Sequence, residues 1–445
     1  MRKNLLDRAL LPINRFIHYE NSAGIALFSS VLLAIIWANS PWHESYHTFW
    51  HYNFTIGFDG FDLSYSLHDW VNDGLMAIFF FMVGLELKRE IMVGELASWK
   101  KAALPLVAAV GGTLVPALIY LTINQGMPTE QGWGIPMATD IVFALVLLAM
   151  TGKHVPISAK IFLIALATID DMVAVLVIAL FYTVDLSFTH LIWGLIILTI
   201  MVVANKLGVR STLFYATVGI IGVWRAFLLS GIHATIAGVL AAFAIPARRR
   251  INESLFSRKI RMLMHHFDDE IPEDGPLTTD KQHGIIEKIK TICAEVQTPL
   301  QKIEGALHPI VYFLVIPLFA LSNAGVTVEE SFFTDLANPV TVGVFLGLVV
   351  GKFAGILGFS WISVKLNFAS LPKKVTWRQI SGIAALAGVG FTMSLFITQL
   401  AFEDSHSIDM AKYGIMLASI VSGLVGYYLL KSQMPVKIDP RYRTK

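Results

Sequence analysis

Asp170 and Asp171 stand side by side in the run IFLIALATIDDMVAVLVIALFY, from Ile161 to Tyr182, which is long enough to cross a bilayer as one helix. A carboxylate at the centre of such a helix costs about 2.5–3.5 kcal/mol on insertion scales. An oily helix gains nothing from two of them, so the pair implies partners, water or an ion, and ion transport is the chemistry to test first. Asp140, Lys352 and His233 also lie well within apolar runs, and Glu86 stands near the end of one. Asp140 follows Pro136 and Thr139 in GIPMATDIVFALVLLAM. Proline removes an amide donor and frees a carbonyl, so an interruption is expected there. A second weak point is AALAGVGFTMSLFI, where Gly388 and Gly390 sit mid-span ahead of Thr392. Broken helices expose partly positive N-terminal ends and partly negative C-terminal ends; Asp140 suits the former and Lys352 the latter. Successive helical residues point about 100° apart, so Asp170 and Asp171 cannot share a face. One can turn to a cavity and the other to a base, and Lys352 is the buried base on offer apart from His233. A purely structural reading, with ion pairs holding helices together, fits Lys352 and one aspartate. It leaves the other carboxylates without a second buried lysine or arginine. For His233 the alternative is an interhelical hydrogen bond, and for Glu86 a span-end position facing water.

The chain that must position these groups has 445 residues, 55% hydrophobic and 15% charged, with a mean hydropathy of +0.64. Soluble domains carry about 25% charged residues, so a polytopic all-α membrane protein is expected. A net charge of +2 gives no reason to expect nucleic acid as a partner, and the single cysteine, Cys293, excludes an internal disulfide framework and a thiolate metal cluster. No cleavable signal is evident in MRKNLLDRALLPINRFIHYE. Apolar runs predict about twelve spans, near 22–39, 71–87, 102–123, 134–150, 157–182, 189–205, 212–225, 230–246, 307–325, 340–364, 380–402 and 411–430. The connecting segments alternate between basic and free of Lys and Arg. By the positive-inside rule the basic set is cytoplasmic, and both termini lie inside. Arg225 and Lys412, near outer ends, are expected to snorkel to the interface. Interrupted helices at matching places in two halves point to a transporter site at the midplane. The division that follows is 1–101 (two spans and an outer hairpin), 102–185 (first core repeat), 186–247, 248–306 (a cytoplasmic loop), 307–338, 339–433 (second core repeat, inverted) and 434–445 (a tail).

Two features lie outside the spans. In HYNFTIGFDGFDLSYSLH, Phe54, Ile56 and Phe58 alternate before Asp59-Gly60, and Phe61, Leu63 and Tyr65 after it, a strong β-hairpin signal. A lone two-stranded hairpin is marginal in water; a dimer contact through its edge, or packing on its own membrane domain, would stabilise it. The stretch from Arg248 to Gly305 opens with the basic run RRRINESLFSRKIRM and passes through an acidic turn, DDEIPEDGP. It closes on a helix in which Ile285, Ile289, Ile292 and Val296 share one face, an amphipathic helix against the domain or the lipid surface.

ATD in the fourth span, ATIDDMVAVLVIALFYT in the fifth, GKFAGI in the tenth, FFFMVGLELKRE in the second and SGIHATIAG in the eighth together resemble the NhaA sodium/proton antiporters. The inverted-repeat architecture is already an established property of that family. The resemblance implies that Asp171 and Asp140, with Thr139, form the cation and proton site for Na+ or Li+ and H+, and that Asp170 partners Lys352. It implies a cytoplasmic entrance and pH-response region at Glu86, Arg89 and Glu90, joined by Glu304 and His308, with His233 linked to pH response. It also implies a homodimer of the bacterial inner membrane with the outer hairpin at the contact, and no cofactor. Three features depart from the family pattern. The loop before the ninth span is longer by roughly thirty residues, Gly305 stands where a histidine is common, and Gln301 stands where a basic residue is common.

The expected chemistry is competition. Burial and a neighbouring carboxylate favour the protonated acid, and a bound cation favours the ionised one. If the site switches sides only when occupied by one or the other, exchange follows; more than one titrating group per cycle would make it electrogenic. An intramembrane aspartyl protease also needs two buried aspartates, but on separate helices and with a Gly-x-Gly-Asp signature that Ala138-Thr139-Asp140 lacks. A sodium-coupled solute symporter on a related fold is the nearer rival. A channel is disfavoured by the lack of a pore-lining repeat.

Overall fold

The computed structural model describes residues 22–58, 61–152, 155–183, 186–270, 278–327 and 332–432. Among the described residues seven helices are long and apolar enough to cross a membrane. These are α3 (Leu67–Val93), α4 (Trp99–Ile123), α7 (Ile157–Phe181), α8 (Phe188–Lys206), α13 (Pro299–Asn323), α14 (Pro339–Lys365) and α17 (Ser405–Lys431). Three bent pairs bring the number to as many as ten: α1 (Ser22–Ala38) with α2 (His43–Trp50) at 116°, α5 (Pro128–Met137) with α6 (Ile141–Met150) at 42°, and α15 (Trp377–Leu386) with α16 (Phe391–Ala401) at 45°. Two shorter apolar helices, α9 (Thr212–Leu228) and α10 (Ala234–Ala244), complete the set. The chain is an integral membrane protein.

The helices form two groups. In the first, α4 through α7 and α14 through α17 pack on one another. The tightest crossing is α4 on α14, where an added Cβ at Gly355 would lie 2.1 Å from the Gly111 carbonyl oxygen and one at Gly111 would lie 2.4 Å from that of Gly355. Only bare backbone fits, the small-residue contact by which membrane helices approach closely. In the second group α3 and α10 pack together, with α1, α8, α9 and α13 around them. There Gly238 meets the Ala77 carbonyl and Gly84 meets Ala242.

The breaks in α5–α6 and α15–α16 fall at Ala138–Asp140 and Ala387–Gly390, each in the middle helix of a trio within the first group. α5 is a 3-10 helix containing Pro136. Gly388 and Gly390 have no room for a side chain, since a Cβ would lie 2.5 Å from the Leu348 carbonyl at the first and 2.9 Å from that of Ala138 at the second. A π-helical stretch, Gly347–Gly351, leads directly into Lys352; such bulges re-aim the side chains that follow.

Strands β1 (Asn53–Phe58) and β2 (Phe61–Ser66) pair antiparallel, from Asn53 opposite Ser66 to Phe58 opposite Phe61. The expected turn residues, Asp59 and Gly60, lie outside the described residues. The sheet is held to its own chain, because Trp70 Nε1 donates to the Phe54 carbonyl at 2.8 Å and its ring stacks on Trp224 with centroids 6.3 Å apart.

One expectation needs correction, and two helices are added to the sequence reading. Lys412 does not snorkel: it is 9% exposed and pairs with Asp409 at 3.5 Å. It is therefore a second buried lysine, held by the acid three residues earlier on its own helix. The outer segment from Asn39 to Asp69 also contains the helix α2, and the basic run after Arg250 is helical. In α11 (Glu253–Asp269), capped by Asn252 accepting from the Leu255 amide at 3.0 Å, Leu255, Ile260 and Leu263 are partly or fully buried. It packs on α12 (Asp280–Val296), whose Ile285, Ile289, Ile292 and Val296 are half-buried. The amphipathic face thus meets a second helix.

Candidate functional site

Asp140 is the N-cap of α6. Its Oδ1 accepts from the amides of Val142 and Phe143, both at 3.1 Å. Its Oδ2 reaches across to the other broken helix and accepts from the Thr392 amide at 3.0 Å and the Thr392 hydroxyl at 2.7 Å. Thr392 lies in the first turn of α16, so one carboxylate caps two helix N-termini that meet inside the protein. Its negative charge sits where both dipoles favour it. The Asp140 amide donates to the Val389 carbonyl at 2.6 Å, which ties the two breaks together.

Asp170 and Asp171 are 1% and 3% exposed and diverge as helical geometry requires. Asp170 Oδ2 accepts from Lys352 Nζ at 2.5 Å, with both side chains fully buried. The same oxygen lies 2.8 Å from Thr139 Oγ1, which is also 2.9 Å from the Ala387 carbonyl. One hydroxyl proton therefore serves two acceptors. The Lys352 ammonium was expected at the C-terminal ends of the broken helices; its hydrogen bond goes to Asp170 instead, because a full negative charge attracts it more strongly than a fractional one. The carbonyl end at Ala387 is met by Thr139. Asp170 Oδ1 and Asp171 Oδ1 are buried with no hydrogen-bond partner. Orphaned carboxylate oxygens in a buried site call for a proton, water or a cation. Asp140 and Glu86 both lie within electrostatic reach of Asp171. Among the described residues no group of three or more His, Cys, Asp or Glu side chains converges as a resident metal centre would.

Glu86, Arg89 and Glu90 project from the end of α3, and Glu304 and His308 from the start of α13. Arg89 bridges them, pairing with Glu304 and lying 3.6 Å from Glu90. Glu90 accepts from the Glu95 amide at 3.0 Å, and His308 stacks on Tyr312 with centroids 4.3 Å apart. His233 stands elsewhere. It precedes α10 and bonds the Tyr182 carbonyl at 2.7 Å, while Lys88, beside Arg89 on α3, bonds carbonyls at the other end of α10. Those eleven residues separate the two by roughly 16 Å.

Sequence reasoning named Thr392 at the second break without giving it a role, and did not single out Tyr312. A threonine in an apolar run ordinarily bonds its own helix, so only its place just past Gly390 hinted at a role. Tyr312 sits in a π-helical turn, Val311–Val315, which nothing in the sequence announces.

The family model described as Na+/H+ antiporter 1 matches residues 14–430. A protein named Na(+)/H(+) antiporter NhaA from Oleidesulfovibrio alaskensis is 48% identical over 428 residues, covering 96% of this chain and 95% of its own. One named Na(+)/H(+) antiporter NhaA 2, from Syntrophotalea carbinolica, is 47% identical, covering 94% and 96% respectively. A third, from Koribacter versatilis, is 45% identical over 96% of this chain and 92% of its own. With an apolar helical body, two broken helices meeting at Asp140 and a family match along nearly its whole length, the chain belongs to the Na+/H+ antiporter 1 family.

Proposed function

We propose that this chain exchanges cytoplasmic Na+ or Li+ for external H+ at Asp171 and Asp140, with Thr139 beside them and Asp170 held by Lys352. The observation that carries this reading is the orphaned, buried Asp171 Oδ1 beside an Asp170 that is held by Lys352 through Oδ2 alone, its own Oδ1 being orphaned too. A proton and a cation are alternative ways to satisfy that oxygen, and they exclude each other. Asp140 is the movable ligand: its four hydrogen bonds come from two helix ends, so a small shift of α6 against α16 frees it for the ion. Hard carboxylate and hydroxyl oxygens suit Na+ and Li+. Because two carboxylates titrate around one monovalent ion, exchange is electrogenic, and an inward proton gradient expels sodium.

The finer architecture belongs to the same proposal. α9 and α10 are counted as spans, giving twelve, with 102–185 and 339–433 as inverted core repeats. The basic loops face the cytoplasm of a bacterial inner membrane, and both termini, which lie outside the described residues, are placed inside. Glu86, Arg89, Glu90, Glu304 and His308 line the cytoplasmic entrance and set the pH response. His233 acts on that response only indirectly, through the Tyr182 carbonyl. The β1–β2 edge pairs with a second copy in a homodimer.

The test is Asp171→Asn in everted vesicles with a pH-sensitive dye and added Na+. Dequenching should disappear while it persists in the parent. Near-normal dequenching would remove Asp171 from the mechanism, and Na+ binding without proton release from purified protein would remove the competition itself.

A further inference from the structure

A polar cavity of about 210 Å³ lies at the end of the molecule opposite the basic loops, in the seam between the two helix groups. His47, His51 and His68 line it from the α2 and α3 side, Ser322 from α13, and Asp409 and Lys412 from α17. The wall formed by α2, α3 and α13 is one bonded unit. Tyr46 Oη donates to the Leu321 or Ser322 carbonyl, at 2.9 and 3.0 Å, and accepts from the Gly325 amide. Asn323 donates to Asn72 at 2.9 Å, and Asn72 meets the His68 ring at 3.2 Å. The facing wall is α17 with Gln399 of α16, tied across the seam by Tyr413 Oη donating to the Thr327 carbonyl at 2.8 Å. Asn323 Oδ1 behind the first wall is buried without a partner, so this network is ready to take in water.

The charge count decides what acid does here. The groups that face one another are His43, His47 and His51 from α2 and its end, His68 and Asp69 from the start of α3, and Asp409 and Lys412 from α17. Among the described residues α13 and α16 contribute only neutral groups, and Glu403, Asp404 and His406 at the start of α17 are exposed. With neutral imidazoles these groups are one lysine against two aspartates, Asp69 and Asp409, a small net negative charge. With imidazolium ions the same groups are up to five cations against two aspartates; His43, His47 and His51 are exposed and partly screened by solvent, so the repulsion is strongest between the half-buried His68 and the buried Lys412. Repulsion between the α2–α3 histidines and Lys412 acts directly across the seam.

We propose that this cavity is an external-acid latch: protonation of His47, His51 and His68 around Lys412 parts the outer seam and admits protons toward the interrupted helices. The latch rests on the exchange reading and orientation given above, and it makes the outward-open form more populated when the external proton supply is high.

The experiment places Ser322→Cys, a buried reporter on the cavity wall, in a Cys293→Ser background. Labelling by a membrane-impermeant maleimide is measured on right-side-out vesicles against an exposed reference, Glu403→Cys. The ratio of the two rates should rise about fivefold or more as external pH falls from about 8 to about 5.5, and stay flat when His47, His51 and His68 are all replaced by Gln. A flat ratio with the histidines present, or an equal rise without them, overturns the latch. If the triple variant fails to reach the membrane, the single His→Gln variants are read instead, and an undiminished rise in all three overturns it equally. Na+-driven proton release in the same vesicles separates the two readings. An acid-dependent ratio without release sinks exchange and leaves the latch; release with a flat ratio does the reverse.

Discussion

Asp170 and Lys352 are both fully buried and meet at 2.5 Å, so neither has water to fall back on. Removing one partner of a buried pair strands the other and costs about 3–5 kcal/mol, whereas replacing both with apolar groups of similar volume is often neutral. Asp170→Asn is therefore expected to lower the melting temperature in detergent sharply, and adding Lys352→Met to that variant should recover most of the loss. A double variant no better than the single would mean that the ammonium has another anchor. Thr392 gives a second test. Thr392→Val keeps the amide bond to Asp140 Oδ2 and deletes the 2.7 Å hydroxyl bond, and a hydrogen bond to a charged group is worth about 1.5–3 kcal/mol. Freed of it, Asp140 should hold its resting place less firmly, and the apparent affinity for Na+ should change about ten- to hundredfold, since each 1.4 kcal/mol is a factor of ten. Dye-reported Na+ titration checks this, and an unchanged half-saturation would show that Asp140 does not move. That Lys352 pairs with one of the two adjacent aspartates was legible because the sequence offers one lysine at mid-membrane depth; that the partner is Asp170 came only from the family resemblance. The role of Thr392 was not legible, because its partner lies 252 residues away on another helix.

At the scale of elements, the position of Lys352 depends on how closely α14 approaches α4. Gly355, one turn past Lys352, has its backbone against Gly111, and Gly112 faces the lysine stem, an added Cβ there lying 3.7 Å from Cδ. Overpacking a tight contact costs about 1–3 kcal/mol, and backbone atoms cannot step aside as a flexible side chain can. Gly355→Val should push α14 outward, carry the ammonium away from Asp170 and abolish exchange, with Gly355→Ala intermediate. Gly358, with open space around it, is the matched control and should tolerate Ala. Loss of activity at Gly358 as well would point to helix propensity and away from packing. The breaks beside Asp140 and Gly390 were legible because proline and glycine announce them chemically. The helix α2, HESYHTFW, was not: eight polar and aromatic residues are too short to show a period, and its 116° bend against α1 is set by tertiary contacts. α11 was hidden by its charges, since Arg258, Lys259 and Arg261 dominate the run while Leu255, Ile260 and Leu263 carry the packing.

The whole molecule is two helix groups with a helical pair, α11 and α12, added at the basic end. The division into groups follows from which glycines meet which carbonyls, and a hydropathy trace holds no such information. The added pair leaves and rejoins the membrane body at neighbouring points: the Arg250 amide donates to the Glu295 carbonyl at 3.2 Å, and the Leu300 amide to that of Pro246 at 3.2 Å. Its ion pairs are largely internal, Lys281 with Glu270 and Lys290 with Glu287, so it behaves as a small unit resting on its own apolar seam. Removing residues 251–294 and joining Arg250 to Glu295 should therefore close without strain and leave the first helix group untouched. The excised protein is expected to insert, melt within a few degrees of the parent and keep Na+-driven dequenching at its best pH. Glu304 and His308 follow directly on the capping box of Thr298 and Gln301, which fixes the start of α13; the excision removes the exposed Lys302 Nζ bond to the Ala294 carbonyl at 3.3 Å but leaves that cap intact, so the pH at which exchange begins should also hold. If exchange survived but its onset moved, the pair would be coupled through Glu295 and Arg250 to the Arg89–Glu304 bridge. If exchange were lost altogether, the pair would belong to the folding core, contrary to the independence its contacts imply.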